Sequence, residues 1–308
     1  MTNETSSHAR ARARTLTTST NEKTMETYER ERTIGRGTFG EVVKYTRKRK
    51  GGRDNEEEDE RDWANEVAIK ALDKRKLSRA RASATRTMLD DAKEEAMLMA
   101  ECESENVVRV YEWIDDARSE KVYIVMEFCA NGAVLSDDDE FEAFAIETIK
   151  DIIRDVLRAL VECHARGVVH YDVKPQNIFN HASGARKLGD FGSAKRVEKN
   201  KDGTYALVRT TPGTPAFTAP ECCEGEPCDG FKADVWAVGI TAHALATGSY
   251  AYRADGAWNT YQLILTQEID LSAIKDSMFR DFLSKVLDRN PNTRLTARQA
   301  LEHEWFHH

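Results

Sequence analysis

The sequence predicts an α+β protein with two unequal parts, a small strand-rich part followed by a larger helical part. Short alternating segments surround a glycine cluster just after residue 28, a pattern typical of a β-hairpin. From Phe141 onward, apolar residues recur at helical steps, at Ile146, Ile149, Ile153, Val156, Leu160 and Cys163. A cleft between the two parts is the natural place for a ligand.

Length and charge exclude several classes of protein. The chain has 308 residues, enough to bury a sizeable core, and a net charge of −8. We expect no nucleic-acid partner, because binding to a phosphate backbone requires a positive field. We also expect no membrane span, since no apolar run approaches the ~20 residues that a bilayer requires. The segment "WAVGITAHALATG" instead predicts a buried core helix.

The six cysteines are scattered along a chain without a secretory signal. This usage predicts reduced thiols and a cytoplasmic or nuclear protein. The cluster "CCEGEPC" suggests a zinc site, but no second ligand pair follows at a zinc-like spacing. Plain thiols are therefore the favoured interpretation.

Residues 1–27 are rich in Ser, Thr and Arg and poor in apolar residues, which predicts a disordered tail. An organelle transit peptide is the alternative, because such peptides are rich in arginine and poor in acids. Two charged inserts, at residues 47–62 and 73–86, are expected to be solvated surface segments whose role the sequence leaves open.

The glycine cluster "IGRGTFGEV" fits the pattern G-x-G-x-x-G-x-V through Gly35, Gly37, Gly40 and Val42. A dinucleotide-binding turn shares its first six positions, but a helix would then follow, whereas here a strand follows. A strand, a glycine turn and a second strand can cover phosphates with their backbone N–H groups.

Three further stretches carry polar groups suited to phosphate and metal chemistry. The strand "NEVAIKAL" places Lys70 where it needs an opposite charge. Glu95 is favoured over Glu94 because Glu95 lies one helical turn from the apolar Met99. In "KLGDFGSAK", Asp190 precedes a glycine turn, a position suited to a hard cation such as Mg²⁺. The loop "HYDVKPQNIF" can present an acid, an ammonium and an amide to one point.

The ordered set "GRGTFGEV", "VAIK", "HYDVKPQN", "DFG", "APE" and a late arginine resembles a eukaryotic protein kinase over residues 28–306. The resemblance implies the bilobal protein-kinase fold. We expect an N-lobe at residues 28–127, which is antiparallel and β-rich and contains one main helix. A hinge at 128–133 and a mainly α-helical C-lobe at 134–306 should follow.

The resemblance also implies ATP and Mg²⁺ as cofactors and assigns a role to each polar residue. Asp172 would accept the proton of the substrate hydroxyl, and Lys174 would steady the γ-phosphate. Asn177 and Asp190 would hold Mg²⁺. Lys70 would bind the α- and β-phosphates, with its direction fixed by Glu95. The remaining nucleotide contacts would be Ile34, Gly35, Arg36, Gly37, Thr38, Phe39, Gly40, Glu41, Val42, Ala68, Met126, Glu127, Cys129 and Phe179.

The same resemblance implies supporting contacts outside the nucleotide site. Glu221 should pair with Arg294. Asp234 should brace the catalytic loop, residues 170–179, by accepting hydrogen bonds from its backbone N–H groups. The apolar column should consist of His170, Phe191, Met99 and Val110.

Lys174 and Thr214 are similar to the serine/threonine pattern. The stretch "GTPAFTAPE" is similar to the calcium/calmodulin-dependent kinase kinases and related kinase-activating kinases. The implied partners are then the activation loop of another kinase, as the substrate, and a regulatory protein. The alternative is a pseudokinase scaffold that binds partners without transferring phosphate.

Two departures limit the resemblance. No basic amphipathic helix follows "HEWFHH", so we do not expect calmodulin control. Tyr171 replaces the arginine that in many kinases grips an activation-segment phosphate. We therefore expect that phosphorylation of Thr210 or Thr211 is not the main switch.

Overall fold

The computed structural model describes residues 16–20, 23–37, 39–48, 65–80, 82–83, 85–136, 140–209 and 213–307. The N-terminal part is a six-stranded sheet with strand order β1-β5-β6-β4-β3-β2 and helices packed beside it. In chain order its elements are β1 (Thr17–Ser19), α1 (Lys23–Glu26), β2 (Tyr28–Gly37), β3 (Gly40–Arg47), β4 (Glu66–Asp73), α2 (Lys74–Arg79), α3 (Met88–Glu101), β5 (Val110–Ile114) and β6 (Lys121–Glu127).

Strand β1 corrects the prediction of a disordered tail over residues 1–27. Thr17, Thr18 and Ser19 pair in parallel with Glu112, Trp113 and Ile114 of β5. The unpaired main-chain groups at the edge of a sheet accept any extended partner, including a Ser/Thr-rich one. The folded unit therefore takes in at least part of the segment assigned to the tail, whose residues 1–15 lie outside the described ones.

Helices α2 and α3 both begin at side-chain caps. Thr87 and Asp90 form a reciprocal capping box at the start of α3, the main helix of this part. Asp73 caps α2 by accepting a hydrogen bond from the Lys76 N–H at 2.8 Å. The charged insert predicted at 73–86 thus contains one short helix. Most of the insert at 47–62 lies outside the described residues.

The C-terminal part is mainly helical. Its elements in chain order are α4 (Ile146–Ala165), β7 (Val168–Val169), β8 (Ile178–Asn180), β9 (Arg186–Leu188), β10 (Lys195–Arg196), α5 (Gly230–Thr247), α6 (Ala257–Thr266), α7 (Ser277–Val286) and α8 (Ala297–Leu301). The predicted stripe of α4 is buried from Ile149 to Cys163, while Ile146 at its start is half-buried, and Gly167 follows the helix with φ +72°. Helix α5 is buried along almost its whole length, which confirms the predicted core helix.

This arrangement confirms the predicted α+β architecture, with a strand-rich part preceding a helical one. None of the helices in the described part of the chain combines the length and the apolar character that crossing a lipid bilayer demands.

A disulfide between Cys222 and Cys228 corrects the prediction of plain thiols. The chain turns between them at Gly225, whose φ is +74°, so their Cα atoms lie 5.6 Å apart. The free cysteines of the described chain are Cys102, Cys129, Cys163 and Cys223. No cluster of three or more metal-ligating side chains occurs among the described residues, so the zinc alternative finds no support there.

Reduction of this disulfide is expected to lower the free energy of unfolding by about 2 kcal/mol, because the bond closes a short loop in the unfolded chain. The midpoint of thermal unfolding should fall by roughly 5 °C when dithiothreitol is added. Cys223→Ala, which changes a neighbouring cysteine outside the bond, should keep this response. An equal response in Cys228→Ala would contradict the assignment, because that variant has no bond to reduce.

Candidate active site

Lys70 and Glu95 form an ion pair between the sheet and its main helix. Lys70 Nζ lies 2.7 Å from Glu95 Oε1, with the two side chains 25% and 11% exposed. Glu94, the alternative, instead contacts Arg86 at the edge of the site. Burial by itself lowers the pKa of Lys70, but the charges of Glu95 and Asp190 outweigh it and raise that pKa. The lysine is therefore held as a cation.

Helix α3 is held against the C-terminal part by polar and apolar contacts. Glu101, at its end, pairs with Arg196 of β10. The helix packs on the turn at Phe191–Ser193, and the Phe191 ring contacts the His170 ring at 4.8 Å between centroids. The four residues of the expected apolar column, His170, Phe191, Met99 and Val110, are all buried. These contacts keep Glu95 turned toward Lys70.

The catalytic loop is braced by Asp234, which is fully buried in α5. Its carboxylate accepts the His170 N–H at 2.9 Å and the Tyr171 N–H at 2.8 Å, and lies 2.9 Å from His164 Nε2. The expected brace is confirmed. These bonds hold Tyr171 at φ +63°, a left-handed conformation that costs a non-glycine residue energy.

Asp172 is buried and receives three hydrogen bonds from its surroundings. The Thr214 N–H donates to Oδ1 at 2.8 Å, and Asn177 Nδ2 donates to Oδ2 at 2.9 Å. Lys174 Nζ lies 3.0 Å from Oδ2. Burial by itself raises the pKa of Asp172, but the charge of Lys174 and the hydrogen bonds from Lys174 and Thr214 outweigh it and lower that pKa. The acid is thus ionised, and Oδ1 keeps one free lone pair.

Thr214 is the residue of this site whose part the sequence did not reveal. Its hydroxyl accepts a 2.7 Å hydrogen bond from Lys174 Nζ, besides the bond from its N–H to Asp172. The preceding Gly213 has φ +93°, and a Cβ there would lie 2.2 Å from the Tyr171 carbonyl oxygen. The sequence signal was this glycine, which lets the two loops approach so closely.

Asp190 lies at the mouth of the site with its side chain exposed. A Cβ built on Gly192 would lie 3.2 Å from Asp190 Oδ1 and 3.8 Å from Glu95 Oε2, so both carboxylates reach the same place. The Gly189 N–H donates to the Asn177 carbonyl at 2.9 Å, which ties the Asp190 loop to the catalytic loop. Lys70, Glu95, Asp172, Lys174, Asn177 and Asp190 are therefore brought together.

Asn177 and Asp190 carry oxygens of the kind that Mg²⁺ binds. Both Asn177 Nδ2–H bonds go to Asp172, which orients the amide and leaves its Oδ1 available, and Asp190 supplies one exposed carboxylate. Mg²⁺ is usually bound by one or two such protein groups together with water and substrate phosphates.

Strand pairing aligns the residues expected to contact the nucleotide. In the predicted hairpin, formed by β2 and β3, Gly35 pairs with Val42, Arg36 with Glu41, and Gly37 with Gly40. Thr38, at its tip, lies outside the described residues, and Phe39 follows it. The neighbouring strands set Val42 opposite Lys70, and Ala68 opposite Met126. Ile34 on β2 exposes 41% of its surface, while Phe179 pairs with Ala133 across the expected floor.

Some backbone groups at the end of β6 and just after it form hydrogen bonds with other backbone groups of the chain. The Glu127 N–H donates to the Arg109 carbonyl, and the Cys129 carbonyl accepts from the Gly132 N–H. These two bonds involve neither the Glu127 carbonyl nor the Cys129 N–H, the groups that the resemblance assigns to adenine. Burial, followed by the charge of Glu127, raises the pKa of the Cys129 thiol to about 12, so this thiol stays neutral.

Glu221 and Arg294 form the expected ion pair beneath the end of the activation segment. Arg294 donates from Nη1 to Oε1 at 2.6 Å and from Nη2 to Oε2 at 2.9 Å. Its side chain is 0% exposed and also donates to the carbonyls of Lys232 and Asp288. The pairing predicted from the resemblance is confirmed.

Tyr171 occupies a pocket shaped by glycine. A Cβ on Gly230 would lie 2.4 Å from the Tyr171 hydroxyl, so only glycine leaves room for the phenol. This hydroxyl is buried and makes no hydrogen bond within the described chain. Burial, then the charges of Asp234 and Asp229, raises its pKa. The side chain next to Asp172 is therefore neutral, where an arginine would carry a positive charge.

Comparison with known proteins agrees with these features. A sequence model of the protein kinase domain matches residues 28–306. The chain is 35% identical over 284 residues to the serine/threonine-protein kinase GRIK1 of Arabidopsis thaliana, covering 92% of this chain and 67% of that protein. It is 34% identical to GRIK2 of the same plant over 286 residues, covering 92% and 66%.

A third similar protein is CBL-interacting protein kinase 32 of Oryza sativa subsp. japonica, at 33% identity over 279 residues. That match covers 91% of this chain and 58% of the rice protein. The chain thus spans about two thirds of the two Arabidopsis proteins and somewhat less of the rice protein. These plant proteins do not confirm the expected likeness to the calcium/calmodulin-dependent kinase kinases.

Proposed function

Because this chain belongs to the protein kinase family and is a serine/threonine protein kinase that takes its phosphoryl group from ATP, we propose that its substrate is an activation-segment threonine of another protein kinase. The observation that carries the proposal is the stretch Gly213–Glu221, whose sequence is similar to that of kinase-activating kinases. The structure sets Thr214, in this stretch, against the catalytic acid.

We assign the nucleotide to the crevice between the two parts. The adenine ring would bind the Glu127 carbonyl and the Cys129 N–H, between Val42 and Ala68 on one side and Phe179 on the other. The hairpin over residues 34–42 would cover the phosphates. Lys70 would contact the α- and β-phosphates, since its pairing with Glu95 keeps it charged and directed.

We assign to Asp172 the role of accepting the proton of the substrate hydroxyl. Its Oδ1 keeps a free lone pair, which can accept the hydrogen of the substrate hydroxyl as that oxygen attacks the γ-phosphorus. The bond between the γ-phosphorus and the ADP oxygen breaks, and ADP leaves. Lys174 already donates to Thr214 and contacts Asp172, so its third N–H remains for the γ-phosphate. Mg²⁺, held by Asn177 and Asp190, would neutralise charge on the phosphates.

The substrate class is tested with a second protein kinase made inactive by replacing its own catalytic aspartate. The chain is expected to phosphorylate the activation-segment threonine of that kinase, and substitution of this threonine by alanine should remove the phosphate from the mass spectrum. Transfer to a generic basic protein without transfer to the activation segment would refute the proposed substrate, while leaving the kinase activity intact.

We also propose that the enzyme does not depend on phosphorylation of its own activation segment. A cation beside the catalytic acid would grip such a phosphate, whereas the buried, neutral Tyr171 offers no charge. Thr210 and Thr211 lie outside the described residues.

Phosphatase-treated enzyme and Thr210→Ala are therefore expected to keep kcat within about threefold of the untreated wild type, because no charge-assisted bond is lost. Thr211→Ala should behave alike. Thr214→Ala serves as the contrast, since it removes the hydroxyl that positions Lys174 and should lower kcat. A drop of about a hundredfold in the phosphatase-treated enzyme, the loss expected for a charged group left unpaired, would contradict this independence.

A further inference from the structure

We propose that a basic pocket on the N-terminal part, whose lining shares no residue with the expected nucleotide contacts, binds a phosphate dianion, either free or carried by a phosphorylated peptide. The pocket has a volume of about 390 Å³ and lies between helix α2 and the turn 117–120 that joins β5 to β6. Six of its lining residues are cationic or carry hydroxyls, namely Lys74, Arg75, Arg79, Arg118, Ser78 and Ser119.

The charge in this pocket is not fully balanced. Lys74 Nζ pairs with Asp115 at 2.5 Å, Arg75 with Glu120 at 2.9 Å, and Arg118 with Asp116 at 3.4 Å. For Arg79, no acidic partner occurs among the described residues. One positive charge is thus left over at a concave surface of a chain whose net charge is −8. Such a place attracts an anion.

The balanced cations can also turn to a ligand. Arg75 and Glu120 are both 71% exposed, and exposed pairs of this kind contribute little free energy. Arg118 is 64% exposed and contacts both carboxylate oxygens of Asp116 at 3.4 Å, which is longer than the charge-assisted hydrogen bonds that a phosphate accepts from a guanidinium. Arg79 and Arg118 therefore supply the recognition, and the Ser119 hydroxyl, which accepts from the Lys121 N–H, can donate a further hydrogen bond.

The walls of the pocket are fixed before any ligand arrives. The Lys74 N–H donates to the Glu120 carbonyl at 2.9 Å, and Lys74 Nζ contacts the Asp116 carbonyl at 3.2 Å. These bonds join the start of α2 to the turn, so little ordering is required on binding. Helix α2 in turn packs on α3, the helix that carries Glu95.

Binding is measured with the whole chain, without ATP, by NMR titration at constant ionic strength. One arm adds inorganic phosphate, and the other adds a Gly-phosphoserine-Gly peptide with its unphosphorylated form as the blank. We expect saturable shifts with a Kd of about 1 mM or below in at least one arm. Arg79→Ala and Arg118→Ala should each weaken this binding about tenfold, as the loss of a charge-assisted hydrogen bond does.

Lys76→Ala is the matched control. Lys76 lies on the same helix but does not line the pocket, and its replacement by alanine removes the same charge. The Kd of this variant for the phosphate ligand should therefore stay within about twofold of the wild-type value. The two ligand arms identify which carrier of the phosphate the pocket accepts. An absence of saturable binding in both arms would overturn the proposal, and so would an equal loss in Lys76→Ala, which would indicate a merely basic surface. Neither result bears on the kinase activity.

Discussion

Asp172→Asn is expected to lower kcat by about a thousandfold, because the variant loses the carboxylate that takes the proton of the attacking hydroxyl. The KM for ATP should change by less than about threefold, since the pair Lys70–Glu95, expected at the α- and β-phosphates, makes no contact with Asp172 among the described residues. Steady-state transfer of labelled phosphate from ATP to protein measures both constants.

The control for this variant is Asp151→Asn, which makes the same chemical change on the exposed surface of α4. It should keep wild-type kcat. If Asp172→Asn kept more than about a tenth of wild-type kcat, the assigned proton acceptor would be wrong. If the wild type itself transferred no phosphate while still binding ATP, the chain would act as the pseudokinase scaffold considered from the sequence.

Arg294→Met is expected to lower the free energy of unfolding by about 3–5 kcal/mol, because the Glu221 carboxylate is then left in a largely buried place without its cation. Methionine fills a similar volume, so the loss reports the charge rather than a cavity. Urea unfolding followed by tryptophan fluorescence measures it.

The double variant Glu221→Gln with Arg294→Met should recover part of this loss, because no unpaired charge remains. Recovery should be incomplete, since Arg294 also donates to the carbonyls of Lys232 and Asp288. Arg158→Ala, which removes an exposed helical pair, should stay within about 0.5 kcal/mol of the wild type. An equal loss in Arg294→Met and Arg158→Ala would refute the assigned role of the buried pair.

The roles of the polar site residues could be predicted from the resemblance to protein kinases, while the spacing of the residues by itself assigned none of these roles. The choice of Glu95 over Glu94 followed from helical phase, and the structure agrees with it. The pairing of Glu221 with Arg294 required the resemblance to a known family. Their separation of 73 positions along the chain carries no local signal.

The features that could not be predicted depend on contacts between distant segments. The disulfide Cys222–Cys228 depends on how the turn at Gly225 brings two side chains together. The fit of Tyr171 against Gly230 joins residues from two elements, and neither residue signals the other. Helix α2 did have a signal, because Asp73 precedes a helix-forming run, but the density of charge suggested a solvated loop.

Strand β1 sets a practical boundary for preparing the protein. A shortened version beginning at Tyr28, where the family match starts, would lack β1. It would therefore lose the strand that pairs with Glu112, Trp113 and Ile114 of β5. A bare strand edge of this kind recruits a strand from another molecule. The protein truncated at Tyr28 should therefore self-associate. A truncated protein that stays monomeric should begin no later than residue 16.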